Sequence, residues 1–110
     1  MLSAADFINA KYGAGTLEIV ITDSYFNMRE KIEPCMFIVD RAKAAMEAVG
    51  IVPMEVPIRG GTDGARLSYE GLPCPNLCTG GENYHGRFEF IPCEDMELCV
   101  KLLVELLTTF

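Results

Sequence analysis

The stretch GGENYHGRFEF, residues 80–90, carries His85, the one histidine in a chain of 110 residues. An imidazole in such a loop can ligate a metal, act as a general base or hydrogen-bond for structure. Gly80, Gly81 and Gly86 let the backbone fold closely, while Asn83 and Tyr84 supply polar groups. Glu89 stands four residues on, where a carboxylate can orient a ligating ring through its second nitrogen. A metal site needs more than one protein ligand. On composition alone, a structural histidine is therefore the stronger reading.

A second stretch with chemical content is PIRGGTDGARL, residues 57–67. Arg59 precedes two glycines that permit a tight turn, and Thr62 or Asp63 can cap the helix that follows. Backbone N–H groups at a helix start beside a guanidinium form a cradle for an anion, and Arg can hold a carboxylate through two parallel hydrogen bonds. Asp63 disfavours a phosphate there. A capped strand–turn–helix junction with a surface Arg is the plainer reading of the same residues.

Cys74 and Cys78 precede His85 with a C-x3-C spacing, but a structural zinc site wants two close ligand pairs, and buried thiols explain the spacing better. Ser3, Ser24 and Ser68 lack the context of a nucleophile elbow. The five cysteines are an odd number, which fits reduced cytoplasmic thiols better than a secreted disulfide scaffold. A formal charge of -7 repels phosphate backbones and anionic lipids, so neither nucleic acid nor a membrane surface is an expected partner. The N-terminus lacks the basic and apolar regions of a signal peptide.

These stretches need elements to position them. Residues 1–12 suggest a helix capped by Ser3, with Ala4, Phe7 and Ile8 on one side. TLEIVIT (16–22) reads as a strand. CMFIVDRAKAAMEAV (35–49) is the clearest helix, with Cys35, Ile38, Val39, Ala42, Ala45, Met46 and Val49 at 3–4 spacing. Pro34 suits its start and Gly50 its end. IVPMEVPI reads as an edge strand, the Gly-rich turn leads into a short helix, LPCPNLCTG is a short strand, and RFEFI alternates weakly. EDMELCVKLLVELL is a helix with apolar residues on most sides, suited to packing on two faces or against a partner. The alternation predicts an α/β fold, a small sheet with helices. Three strands leave exposed edges that need covering by another chain or by missing sequence.

Taken together, IVITDSYFNMREKI, PIRGGTDGARLSYEGLPCPNLCTGGENYHGRFEFI and the terminal amphipathic helix closely resemble the C-terminal part of the peptidase T family. These are tripeptide aminopeptidases among the dinuclear zinc exopeptidases. The resemblance implies that residues 1–27 end an inserted lid or dimerisation domain and that 28–110 form the C-terminal part of the catalytic domain. It implies that His85 is a ligand of the two-zinc centre and that Arg59 and Asn83 contact substrate. Glu89 and Asp63 would support those contacts from behind. Short peptides are the substrate it implies for the complete enzyme.

The family's other ligands and its glutamate base have no counterpart here, because the chain contains neither a His-x-Asp pair nor a Glu-Glu pair. No catalytic residue is therefore expected among these 110, and no zinc or only partial zinc is expected on this chain alone. The expectation is a fragment of a metal-dependent aminopeptidase, inactive by itself. The alternative is a non-catalytic α/β association module or half of a split peptidase, partnered by a second copy or by an N-terminal segment.

Overall fold

In the computed structural model, which describes residues 1–109, five α-helices and one 3-10 turn follow in order. They are α1 (Leu2–Tyr12), α2 (Arg29–Ile32), the 3-10 turn Glu33–Cys35, α3 (Phe37–Ala48), α4 (Asp63–Tyr69) and α5 (Cys93–Thr108). Helices occupy each place where helical periodicity occurs in the sequence. The α3 pattern holds closely: Ala45 is buried, Ile38, Val39, Ala42, Met46 and Val49 are half-buried, and Asp40, Arg41 and Glu47 are exposed. Pro34 lies in the 3-10 turn ahead of α3, where its missing N–H costs little.

Both α3 and α4 end in the same way. Gly50 has φ of 83° and Gly71 has φ of 99°, the left-handed conformation that glycine adopts at no steric cost. The N–H groups of Gly50 and Ile51 return to the carbonyls of Glu47 and Met46, and those of Gly71 and Leu72 to Ser68 and Leu67. Each pair of bonds satisfies carbonyls that the helix end would otherwise leave bare.

The α/β fold with a small sheet expected from the sequence is not found among the described residues. Helices account for 49% of the described residues and strand for 2%, and that strand is a single antiparallel bridge between Glu82 and Phe90. Residues 16–22, 51–58 and 72–79 have the β-branched or apolar composition of strands, yet they run without a ladder. The reason is physical. A strand is defined by the partner that takes up its N–H and C=O groups, and composition supplies only the preference. Among the described residues, the nearest approach to pairing at 16–22 comes from a side chain. The Asn9 amide donates to the Leu17 carbonyl at 2.9 Å and accepts from the Leu17 N–H at 2.9 Å, as a neighbouring strand would.

Packing is correspondingly thin. The radius of gyration is 20.4 Å and the extents are 63 × 37 × 18 Å. A compact chain of this length would have a radius near ~13 Å. The buried apolar side chains are Ala5, Ile32, Ala45, Ala65 and Leu102, with Leu102 of α5 at 1% exposure, and α5 packs on α3. Large apolar residues elsewhere face outward, among them Val52 at 89% and Met54 at 78%. On α5, Met96, Val100, Leu103 and Leu107 form an uncovered stripe at helical spacing. The two-faced α5 expected from its sequence thus shows one face packed on α3 and another bare.

Candidate functional site

A connected set of polar contacts surrounds the start of α4. Thr62, in extended conformation, accepts the Ala65 N–H on its hydroxyl oxygen at 3.2 Å, so Thr62 is the cap. Asp63 begins the helix and is exposed, its charge favourable at a helix start. Asn76 donates from Nδ2 to the Thr62 hydroxyl at 3.1 Å. Ser68, buried at 3%, donates to the Gly64 carbonyl at 2.7 Å and accepts the Cys74 N–H at 3.0 Å. Gly64 is required by close approach. A Cβ there would run into the Cys74 carbonyl and stand 2.8 Å from Asn76 Oδ1.

Segment 24–27 covers the other side of this turn. The Tyr25 ring lies so close to Gly61 that a Cβ at residue 61 would overlap it. Phe26 meets Tyr69 with ring centroids 5.4 Å apart, and the Tyr69 hydroxyl donates to the Asn27 carbonyl at 3.1 Å. Lys31 stands over the Tyr69 ring, 4.9 Å from its centroid. Ser68, Asn76 and Tyr25, which hold the RGGTDG turn in place, do not stand out in the sequence. Asn76 follows a proline and Ser68 falls on the inner side of a short helix; these were the available signals. Arg59, just ahead of the turn, is exposed.

The histidine loop is a separate closed unit. Glu82 and Phe90 exchange both backbone hydrogen bonds, at 2.8 and 3.2 Å. Inside that closure Gly86 N–H returns to the Asn83 carbonyl at 2.8 Å and Glu89 N–H to the Gly86 carbonyl at 3.2 Å. Asn83 and His85 both have positive φ, 55° and 62°. Such values are uncommon away from glycine, with Asn and His among the residue types that tolerate them best. The Asn83 amide donates to the Phe88 carbonyl at 3.5 Å. Glu89 does meet His85, but its Oε2 accepts the backbone N–H at 2.9 Å, so the carboxylate holds the main chain. Tyr84 shares a 2.7 Å hydrogen bond with Thr79, and Gly80 lies against Asp95 at the start of α5.

The structure therefore gathers Asn83, His85 and Glu89 in one exposed loop and places Arg59 and Asp63 at the α4 turn. No hydrogen bond or ion pair joins the two groups among the described residues. Among those residues, no group of three or more His, Cys, Asp or Glu side chains is placed to hold a metal ion. All five cysteines are free thiols. No described helix is long and apolar enough to cross a membrane.

Relatives known by name give first a class: they are peptidases. In particular those relatives are named peptidase T, and this chain is similar to part of that protein throughout its own length. It is 54% identical over 108 residues to peptidase T of Alkaliphilus oremlandii, covering 98% of this chain and 26% of that protein. It is 56% identical over 110 residues to that of Desulfitobacterium hafniense, covering 100% and 27%. With the Exiguobacterium sibiricum protein it shares 59% over 102 residues, covering 93% and 25%. The chain thus spans about a quarter of the length of the curated relatives it matches, and its resemblance to the C-terminal segment of peptidase T stands. No family model matches the chain.

Proposed function

We propose that this chain is one segment of a metal-dependent aminopeptidase that releases N-terminal residues from tripeptides. The observation that carries the reading is identity above one half across nearly the whole chain, a range that includes both RGGTDG and NYHG. In this reading His85 is a zinc ligand presented by a closed loop, and Arg59 with Asn83 meets the substrate. Glu89 and Asp63 support them, one by fixing the His85 main chain and the other at the start of α4. An exposed guanidinium beside a helix start suits the carboxylate end of a short peptide.

The donor set tests the metal. One imidazole is a fitting zinc donor, but a two-zinc centre needs several more ligands, and the described residues do not bring them together. This chain's own residues thus do not fit the complete centre, and the remaining ligands and the general base belong to residues outside it. The working compartment in this reading is the cytoplasm. Purified chain, incubated with zinc, cobalt or manganese and a tripeptide, is expected to show no turnover above buffer. Mixed with the preceding part of a peptidase T, it is expected to restore hydrolysis, and His85→Ala is expected to abolish that activity. Steady turnover by the chain alone, or restored activity indifferent to His85, would refute the assignment.

A second reading, a non-catalytic association module, draws on residues 51–58, whose Val52, Met54, Val56 and Ile58 are all exposed. Unpaired apolar segments of this kind invite pairing with a second copy. A strict monomer in light scattering at high concentration rejects it.

A further inference from the structure

Cys99 lies on α5, and its thiol reaches the main-chain carbonyl of Cys78 at 3.9 Å. A carbonyl oxygen is at most about 2.7 Å from its own Cα, so the Cys78 Cα is within roughly 6.6 Å of the Cys99 sulfur. The Cys99 sulfur thus rests against the Cys78 main chain, and a disulfide forms once rotation about the two Cα–Cβ bonds brings the sulfurs to about 2.05 Å. Cys78 is exposed, whereas Cys99 is half-buried. The pair flanks the closed loop, with Cys78 just ahead of Thr79 and Gly80 and Cys99 one helical turn beyond Asp95, which Gly80 touches.

We infer that Cys78 and Cys99 form a redox-responsive pair, joined by peroxide into an intrachain disulfide that ties the His85 loop to α5. The exposed Cys78 thiolate attacks one peroxide oxygen; the O–O bond breaks, giving a sulfenic acid and, after protonation, one water. The Cys99 sulfur then attacks the sulfenyl sulfur, the S–S bond forms, and the hydroxyl leaves as a second water. Two thiols lose two electrons and two protons, and one peroxide is reduced to two waters. The order of attack follows from access, since Cys78 is exposed and Cys99 half-buried; burial first, then the neighbouring Cys78 and Asp95, pushes the Cys99 thiol up and disfavours its thiolate. Oxidisable pairs in reducing compartments are characteristically transient and sensing rather than structural. The inference concerns this chain's thiols alone and stands whether or not the peptidase reading does.

The test is to treat the 110-residue chain with hydrogen peroxide, alkylate the remaining thiols, and digest with trypsin and a Glu-specific protease. The expected product links the peptide bearing Cys74 and Cys78 to the peptide bearing Cys99, lighter than their sum by two hydrogens and separated by dithiothreitol. Cys78→Ser and Cys99→Ser each lose it; Cys74→Ser and Cys93→Ser keep it. Trypsin cleavage after Arg87 slows several-fold in the oxidised chain. A link that survives Cys78→Ser, a link to Cys93 or between chains, or Cys78 sulfinic acid with Cys99 still alkylated overturns the inference. Mapping of the unsubstituted chain decides the outcome even if a variant fails to fold.

Discussion

The Tyr25 ring occupies the space into which any side chain at Gly61 would grow. Two residues far apart in sequence are thereby matched, and the turn that carries Arg59 depends on the match. Gly61→Ala forces the ring or the turn to shift, a form of overpacking that costs about 1–3 kcal/mol. Amide exchange at Thr62–Ala65 should rise accordingly. Tyr25→Ala in the same chain should restore protection relative to Gly61→Ala alone, and a double-mutant cycle measures the coupling.

Ser68 is the next pressure point, because its hydroxyl both donates and accepts while buried. Ser68→Ala leaves the Cys74 N–H without that acceptor, at about 1–3 kcal/mol. The expected readout is faster exchange at Cys74 with α3 and α5 unaffected, measured by amide NMR.

Glu89 and His85 offer a charge-sensitive test. Glu89→Gln keeps an acceptor for the His85 N–H, whereas Glu89→Ala removes it. The alanine variant should lose about 1 kcal/mol of local stability, making the His85 amide exchange about fivefold faster. The glutamine variant should fall between it and the original chain.

Two ion pairs set the expected pH response. A hydrogen bond from Lys31 and then its charge hold the Glu30 carboxyl below its ordinary range, and Lys43 does the same for Glu55. Lys31 and Lys43 are raised in turn by hydrogen bonds to those glutamates. A lowered folded-state carboxyl pKa contributes stability above the unfolded value, and this is lost as pH falls through the folded one. For the raised lysines the contribution is complete below the ordinary lysine value and is lost as pH climbs through the raised one. Carboxyl NMR titration should show Glu55 moving back up in Lys43→Met. The two glutamates are exposed and the two lysines half-buried at the surface, so the accompanying stability change should be small and further reduced by salt.

Helices were legible from the sequence because their hydrogen bonds are local. The 3–4 spacing from Ile38 to Val49, the Gly50 stop and Thr62 ahead of its helix each specify structure within a few residues. The sheet expected from strand composition does not form among the described residues. Residues 16–22 and 51–58 have strand composition, but pairing depends on partners that composition does not name. The loop glycines and the Glu89 spacing indicated a folded histidine loop, while the target of Glu89, a main-chain N–H, could not be told from spacing. Tyr25 carries no signal in the sequence, because its contact with Gly61 is long-range and follows no period.

The thin packing has a calorimetric consequence. The chain exposes 8936 Å² where a compact protein of its mass would expose about 6,000 Å². Less hidden surface means less new hydration on melting. The isolated chain should therefore show a heat-capacity step well short of the ~1.2–1.5 kcal/mol/K of a 100-residue domain, and a shallow dependence on urea. Contacts in α3–α5 and around α4 should melt over a broad range of temperature rather than at one sharp midpoint.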